Sequence, residues 1–286
     1  MADVEKQGRG LSFADLLDQL RALGVKAGQT LLVHASLSSL GWVDGGEEAV
    51  VAALREAVGA TGNIVVPTGT DENSATSRAH RARIAGMRPE QVAEYRNRMP
   101  AFDVRRSVTG AGRIAEELRS TPGAVRSGHP QSSFAAFGPL ADKLMRDHGL
   151  TCHLGMRSPL GKLYHLDELY EPDSLDEFYG DGKPRAWILM IGVGYHACSA
   201  LHLAEYLYRK DPPTRTYSAL TTVGRRRRWT VYRDVVLDDS DFELIGDYLD
   251  KEIVVHQGDI GEAECRLLPV RDVVDYATEW MREHRH

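Results

Sequence analysis

The stretch GQTLLVHASLSSLGWVDGGEEAVVAALREAVGATGNIVVPT, residues 28–68, decides the fold class of this chain. Residues 28–37 are an apolar run that leads into a polar turn, which predicts a strand. Residues 45–59 predict a helix bounded by glycines, and residues 62–68 predict a second strand whose continuous apolar character is typical of burial on both faces. The order strand, helix, strand predicts an α/β architecture.

The sequence on either side of this stretch continues the alternation. Upstream, Ser12 and Asp15 are spaced as the cap of an amphipathic helix that ends at Gly24. Downstream, apolar runs predict strands over 133–138 and 187–194. The remaining elements that we predict are helices over 112–119, 139–149, 199–209, 240–251 and 270–282, a β-rich section over 219–237 and a short strand pair.

Two segments interrupt the pattern. Residues 71–103 contain six arginines and predict an insertion or lid. Residues 167–181 form an acidic loop with seven carboxylates. Because no repeat or linker divides the sequence, we expect residues 1–286 to form a single domain that carries both segments. The six arginines are Arg78, Arg81, Arg83, Arg88, Arg96 and Arg98; the seven carboxylates are Asp167, Glu168, Glu171, Asp173, Asp176, Glu177 and Asp181.

Composition limits the compartment and the partners. The 286 residues contain 35 Lys and Arg against 41 Asp and Glu, a formal charge of -6, which argues against a nucleic-acid partner. The first ten residues have no apolar signal region, and the longest apolar run, residues 186–193, is too short to span a bilayer. The three cysteines fit neither a disulfide framework nor a zinc ribbon. We therefore expect a cytoplasmic protein without a membrane or nucleic-acid partner.

The run Arg225–Arg228 is the one strongly basic feature. It lies between two strand-like segments, which predicts a hairpin turn. A solvated hairpin and a contact with an anionic ligand group are both open at this stage, and salt-dependent DNA binding is the third interpretation.

Histidines are the first candidates for chemistry. His202 and Glu205 are three residues apart on the helix after the 187–194 strand, so they share one helix face, and the carboxylate can orient the imidazole as a general base. His34 and His129 lie at strand boundaries and are either structural or part of the same cleft. Cys198 is four residues from His202 and allows a ping-pong acyl-enzyme route as an alternative. Metal hydrolysis is disfavoured because HLAE lacks the second histidine of a zinc motif.

Several segments together resemble the aminoglycoside 3-N-acetyltransferase family. They occur in the family's order over about Leu16 to Trp280. The segments are HASLSSLGWVDGG (34–46), MPAFD (99–103), GRIAEELRSTPGAVRSGHPQSSFAAFG (112–138), SPLGKLY (158–164), and GVG followed by LHLAEY (192–206).

The resemblance implies a mixed central β-sheet with helices on both faces and an inserted helical or lid segment. It also implies transfer of an acetyl group from acetyl-CoA to an amine, without a metal. Within the family's HxAE signature, His202 matches the catalytic histidine and Glu205 its partner, and Ser199 stands where the family usually has threonine. The cofactor segments match His34, Ala35, Ser36, Leu37, Ser38, Ser107, Phe134 and Ala135.

The acceptor is expected to be an aminoglycoside, acetylated most naturally at its 3-amino group in a resistance or self-protection role. A polycation requires carboxylates, and the arginines of the 71–98 segment either face solvent or favour a less cationic amine. A biosynthetic N-acyltransferase acting on another amine is therefore the alternative. We also expect that a homodimer is possible. The predicted acceptor-binding residues are Asp71, Glu72, Asp167, Glu168 and His129.

Overall fold

The computed structural model describes residues 10–70, 72–169, 186–224, 226–253 and 255–285. It contains a seven-stranded mixed sheet and a separate two-stranded hairpin, so the predicted mixed α/β architecture is confirmed. The strand order in the large sheet is β3-β4-β2-β1-β5-β9-β8. The strands are β1 (Thr30–Ala35), β2 (Asn63–Pro67), β3 (Val125–Arg126), β4 (Phe134–Phe137), β5 (Ala186–Ile191), β6 (Thr214–Val223), β7 (Arg226–Val235), β8 (His256–Ile260) and β9 (Ala263–Pro269).

Helices cover both faces of this sheet, as predicted. The helices α1, α2 and α5 pack against one apolar core, and the helices α6 to α10 pack against the other. Ser12 and Asp15 form the predicted capping box at the start of α1. The helices are α1 (Phe13–Leu23), α2 (Gly46–Val58), α3 (Arg78–Ile84), α4 (Pro89–Arg98), α5 (Arg113–Ser120), α6 (Ala141–Met145), α7 (Pro159–Tyr164), α8 (Leu201–Leu207), α9 (Phe242–Glu252) and α10 (Val270–His284).

The centre of the sheet decides where the site forms. The strands β1 and β5 are parallel neighbours, with His34 opposite Met190 and Ala35 opposite Ile191. Their carboxyl ends therefore meet at one edge of the sheet. Alternate residues of β1 face opposite cores, so Leu31 and Val33 pack towards α1 and α2, whereas Leu32 packs on the other side. His34 has the parity of Leu32 and lies on the α8 side.

Some predicted boundaries are too generous. The helix predicted over 199–209 begins at Leu201 and ends at Leu207. The helix predicted over 139–149 is a five-residue helix, α6, because the chain turns out of helical geometry at Arg146 and Asp147 then adopts a positive φ of 57°.

The two interrupting segments and the arginine run take definite places. The 71–103 segment forms α3 and α4 and is linked to the hairpin by bridges from Ser74 to Ala219 and from Phe102 to Thr221. The hairpin turn lies between β6 and β7, as predicted, and Arg227 donates to the carbonyl oxygen of Asn97, 3.0 Å away. Asp71, Arg225 and residues 170–181 of the acidic loop lie outside the described residues. Within the described ranges, no helix is both long and apolar enough to cross a membrane.

Candidate active site

His202 and Glu205 form a close pair on the first turns of α8. The Nδ1 atom of His202 lies 2.6 Å from Oε2 of Glu205, and the two side chains are 17% and 1% exposed, respectively. The carboxylate accepts a hydrogen bond from Nδ1–H, so the proton is held on that nitrogen and Nε2 keeps its lone pair. The Phe242 ring packs against the imidazole at a centroid distance of 4.7 Å. The pair therefore has the geometry of a general base with a fixed tautomer.

The other oxygen of Glu205 is held by two donors from distant parts of the chain. The backbone N–H of Asp238 and the guanidinium of Arg285 donate to Oε1 at 2.8 and 2.7 Å. Arg285 also binds the carboxylate of Asp241 and the carbonyl oxygen of Asp238. A fully buried carboxylate is costly unless it is paired and hydrogen-bonded, and these contacts supply both.

His34 and Ser199 connect the end of β1 to the start of α8. The backbone N–H of Ser199 donates to Nε2 of His34 at 3.4 Å, and the Ser199 hydroxyl lies 3.3 Å from the same nitrogen. Burial, together with the nearby positive charge of protonated His202, lowers the pKa of His34 to about 4. His34 is therefore neutral at pH 7, and its Nε2 atom accepts the hydrogen bond from Ser199.

An open cleft of about 730 Å³ lies beside this edge of the sheet. It is bounded by the 36–46 turn and by the amino ends of α2 and α5. Gly45 and Gly46 have positive φ angles of 84° and 56°, a geometry that glycine adopts without strain and that turns the chain into α2. Four of the predicted cofactor residues line the cleft: Ala35, Ser36, Leu37 and Ser38.

A smaller cavity of about 180 Å³ leads from the cleft towards the histidines. It shares Ala35 and Ala111 with the cleft and is also lined by His34. Apolar side chains such as Val66 and Val193 form most of the remaining wall. The wide outer cleft therefore leads into the narrow apolar cavity, and His34, which contacts Ser199, forms part of the wall of that cavity.

Three predicted cofactor residues do not line either space. Phe134 and Ala135 lie in β4 with their side chains 1% and 0% exposed in the core. The Ser107 hydroxyl accepts a hydrogen bond from the backbone of Asp103 at 2.9 Å and stabilises a local turn. Position in a matching segment did not distinguish core and turn residues from residues that face a cavity.

The predicted acceptor-binding residues are scattered. Glu72 is exposed. Asp167 pairs with Arg271 at 3.0 Å, and Glu168 lies 3.2 Å from His165. Arg271 lies in the first turn of α10 and Arg285 directly follows its last residue, so the two are 14 positions apart, which corresponds to about 20 Å. Asp167 and Glu168 thus lie at the opposite end of α10 from the His202–Glu205 pair.

His129 belongs to a buried histidine cluster. Its side chain is fully buried, and its ring lies 4.9 Å from that of His148 and 4.5 Å from that of His153. Burial, with the neighbouring imidazoles, lowers the pKa of His129 well below its usual value. His153 in turn binds Asp234 through Nδ1 at 2.9 Å. The cluster gives His129 a packing role and no exposed surface for a ligand.

Cys198 is also buried, at 1% exposure. Burial raises the pKa of its thiol to about 12, so the nucleophilic thiolate is scarce at neutral pH. This environment is unfavourable for the ping-pong alternative. Among the described residues, no three His, Cys, Asp or Glu side chains are grouped to hold a metal ion.

Two contributors to the site were missed from the sequence. Arg285 is 80 residues from Glu205, and Asp238 donates through its backbone, so no local spacing marks either of them. The one signal in the sequence was the acidic run at 238–243, because a cluster of carboxylates favours an ion pair with an arginine.

The site therefore combines an imidazole–carboxylate pair at the start of α8 with a cleft at the carboxyl end of β1; His202 and Glu205 line neither cavity, and the link between them runs through Ser199 and His34. The chain belongs to the aminoglycoside 3-N-acetyltransferase family, whose sequence profile matches residues 32–168 and 182–282. The resemblance noted from the sequence is thus confirmed.

Relatives with assigned names match over almost their full length. The SPbeta prophage-derived aminoglycoside N(3')-acetyltransferase-like protein YokD of Bacillus subtilis (strain 168) is 33% identical, covering 93% of this chain and 90% of the relative. Aminoglycoside N(3)-acetyltransferase VIII of Streptomyces fradiae is 32% identical, covering 97% and 94%. Because the chain belongs to this family, it is an acyltransferase.

Solved structures share the fold. The crystal structure of YokD from Bacillus subtilis superposes with a TM-score of 0.84 at 32% identity, covering 98% of this chain and 97% of that one. AAC-VIa bound to sisomicin gives a TM-score of 0.77 at 29% identity, covering 97% and 100%. The binary complex of AAC-IIIb with CoASH gives 0.78 at 25% identity, covering 96% and 97%.

Proposed function

We propose that this enzyme transfers the acetyl group of acetyl-CoA to the 3-amino group of an aminoglycoside, with His202 as the general base. The observation that carries this proposal is the 2.6 Å contact between His202, whose side chain is partly exposed, and a fully buried Glu205. The sisomicin and CoASH complexes of the two family members support the choice of acceptor and donor. The role that fits is resistance or self-protection.

The chemistry is a direct transfer. An aminoglycoside amine is mostly protonated at pH 7, and its neutral form is the nucleophile. Nε2 of His202 takes a proton from that nitrogen as the new N–C bond forms, and the C–S bond of the thioester breaks. The proton then passes to the departing thiolate, so His202 returns to its neutral form. Glu205 stabilises the transient imidazolium. The Leu37 and Ser38 backbone N–H groups and the Ser199 hydroxyl are the donors that we propose for the carbonyl oxygen, because the Ser36 N–H already donates to the carbonyl oxygen of Ile191 at 2.9 Å.

The cleft fits coenzyme A in size and in charge. Its volume of about 730 Å³ is in the usual range for small-molecule sites. The amino ends of α2 and α5 open into it, and such ends attract phosphate groups. Arg113 adds a cation at the rim, where its side chain is 69% exposed and paired with Glu47. The apolar inner cavity suits the thioester arm, which carries no charge.

A less cationic amine is the second candidate acceptor. Arg78, Arg81, Arg83, Arg88 and Arg98 are all exposed, and Arg78 lies near the His202–Glu205 pair through its contact with Asp239. Arg78 and Arg98 are paired with Asp239 and Glu94, so the charges that favour an acceptor with fewer ammonium groups, as a biosynthetic N-acyltransferase would use, are those of Arg81, Arg83 and Arg88.

The test is thiol release from acetyl-CoA with a panel of sisomicin, kanamycin, apramycin and the monoamine glucosamine. We expect turnover with at least one aminoglycoside, and mass and NMR spectra of the product that place the acetyl group on the 3-amino nitrogen. The His202→Gln variant is expected to lose about 10³-fold in kcat/KM because it lacks the proton acceptor.

The matched control is His165→Gln. His165 also has a glutamate three residues later, but both side chains are exposed, at 36% and 71%. This variant is expected to keep wild-type turnover. Turnover on glucosamine with none on any aminoglycoside would favour the second candidate, and equal activity of the His202→Gln and wild-type enzymes would refute the assignment of the base.

A further inference from the structure

An ion pair joins the inserted segment to the surroundings of His202. Arg78, the first residue of α3, makes two contacts with the carboxylate of Asp239, with nitrogen–oxygen distances of 3.2 and 2.5 Å. The Arg78 side chain is 72% exposed and that of Asp239 is 31% exposed. The two residues are 161 positions apart in the chain, so this contact crosses from the insertion to the connection between β7 and α9.

Asp239 is held beside the catalytic pair by its neighbours in sequence. The backbone N–H of Asp238 donates to Glu205, and Phe242 packs on the His202 ring. The hydrogen bonds from Arg78 come first among the effects that lower the pKa of the Asp239 carboxyl, and the positive charge of protonated His202 contributes as well. Asp239 is therefore ionised at neutral pH and within electrostatic range of the imidazole.

The neighbouring acidic side chains have other contacts, and that of Asp238, which is exposed, accepts a hydrogen bond from the backbone N–H of Ser240 at 3.1 Å. Asp241 binds Arg285, which also supports Glu205. Glu243 binds His196 at 2.5 Å. If another cation replaced Arg285 at Asp241, the Glu205 carboxylate would lose its support. Replacement of Arg78 at Asp239 leaves Glu205 undisturbed.

We propose that Asp239 binds an ammonium group of the acceptor that is not itself acetylated, and that Arg78 competes with this ammonium for the carboxylate. This inference rests on the proposed function and assigns a specificity role to two residues of the same site. An exposed ion pair contributes only about 0–1 kcal/mol, so a second cation can replace the guanidinium at little cost. The exchange replaces one positive charge with another and leaves Asp239 paired throughout.

The exchange favours acceptors with several amines. The nitrogen that attacks must be neutral when it approaches His202, so it cannot pair with Asp239 at that moment. A neighbouring ammonium on the same molecule can do so, whereas a monoamine offers no second cation. The Arg78–Asp239 pair therefore gives a modest preference for a polyamine over a monoamine.

The experiment measures both turnover and binding. Thiol-release kinetics with sisomicin and with glucosamine give the ratio of their KM values, and calorimetry gives the Kd of sisomicin without acetyl-CoA. For Arg78→Gln we expect KM and Kd for sisomicin to fall about 3- to 5-fold because the competitor is gone. For Asp239→Asn we expect both constants to rise about 10-fold, with a much smaller change for glucosamine.

The control is Arg81→Gln, which removes one positive charge from an exposed position on the same helix. A change in Kd that is equal in Arg78→Gln and Arg81→Gln would assign the effect to net charge and overturn the proposal. Unchanged Kd values in both Arg78→Gln and Asp239→Asn would also overturn it. Because binding is measured apart from turnover, a protein that binds sisomicin without acetylating it would contradict the proposed function and leave the exchange at Asp239 supported.

Discussion

Two segments of this chain carry a histidine and a glutamate at the same spacing, HLDE at 165–168 and HLAE at 202–205, yet only in the second is the glutamate buried beneath a partly exposed imidazole. In the first, both side chains are exposed and the nitrogen–oxygen distance is 3.2 Å. In the second, the glutamate is fully buried and the distance is 2.6 Å. The residue types and the spacing are the same, so the difference comes from how deeply the surrounding structure buries each glutamate.

A third pair completes the comparison. His153 and Asp234 are both buried, at 3% and 5% exposure, and the imidazole is packed among other aromatic rings. This histidine has a carboxylate but no access for a substrate. His202 combines the buried carboxylate of one arrangement with the partly exposed imidazole of the other, at 17% exposure. The comparison teaches that a histidine general base needs a buried carboxylate bound to one ring nitrogen and access to the substrate at the other.

The sharpest way to test this comparison is to replace each glutamate by glutamine. Two donors, the Asp238 N–H and Arg285, face Oε1 of Glu205, so the amide oxygen of Glu205→Gln takes that side and the NH₂ group faces His202. Nδ1 then becomes the acceptor, and the proton moves to Nε2, which can no longer act as a base. We expect kcat/KM to fall by about 10³-fold or more.

The paired variant is Glu168→Gln, whose carboxylate is 71% exposed. It should keep kcat/KM within about two-fold, because an exposed pair contributes little. Steady-state thiol release with a polyamine acceptor measures both variants. Similar losses in the two enzymes would mean that burial is not what separates HLAE from HLDE.

Low pH tests the buried histidine cluster that contains His153, because its member His148 resists protonation. Burial lowers the pKa of His148 to about 4, from an unfolded value near 6.5. Below pH 6.5 the unfolded chain binds a proton that the folded chain resists, so the stability that this group contributes is complete above pH 6.5 and declines as the pH falls towards 4. We expect a loss that approaches about 3 kcal/mol for His148 in the free energy of unfolding, measured by urea titration.

His148→Gln removes this titration while keeping a donor and an acceptor for Ser127 and the carbonyl of Cys152. Its unfolding free energy should depend less on pH between 6.5 and 4 than that of the wild type. His256→Gln, at an exposed position, should retain the wild-type slope. Parallel slopes in all three proteins would contradict a buried neutral His148.

The smallest expected effect is at Cys198. Cys198→Ala removes a thiol whose pKa burial raises to about 12, so direct transfer should proceed with unchanged kcat. Loss of the packed sulfur should lower the free energy of unfolding by about 1 kcal/mol. Thiol release and urea unfolding of the same preparation separate the two quantities. A large loss of kcat in a stably folded variant would restore the acyl-enzyme route.

The sequence predicted the features that depend on local pattern. The strand–helix–strand stretch at 28–68, the hairpin at the arginine run and the HLAE pair are all decided by residues close in the chain. Their positions follow from periodicity and from the rule that parallel strands end at one edge of the sheet.

The features that were not predicted depend on pairing across the chain. The acidic character of residues 167–168 indicated an acceptor wall, but Asp167 pairs with Arg271, which lies about 20 Å along α10 from Arg285, the partner of Glu205. Phe134 and Ala135 occur in a matching segment, yet β4 turns them into the core. Charge and resemblance identify residue types, whereas the packing of helices decides which of them face the cleft.

The contact between Arg285 and Glu205 also has a consequence for the order in which the protein is made. Synthesis proceeds from the amino end, so Glu205 leaves the ribosome 80 residues before the cation that neutralises it. A nascent chain that stops before residue 285 holds a buried carboxylate without this partner, and its HLAE pair is unfinished. We therefore expect acetyl transfer only from chains translated through Arg285, the residue that follows α10, because the Glu205 carboxylate gains its cation at that point.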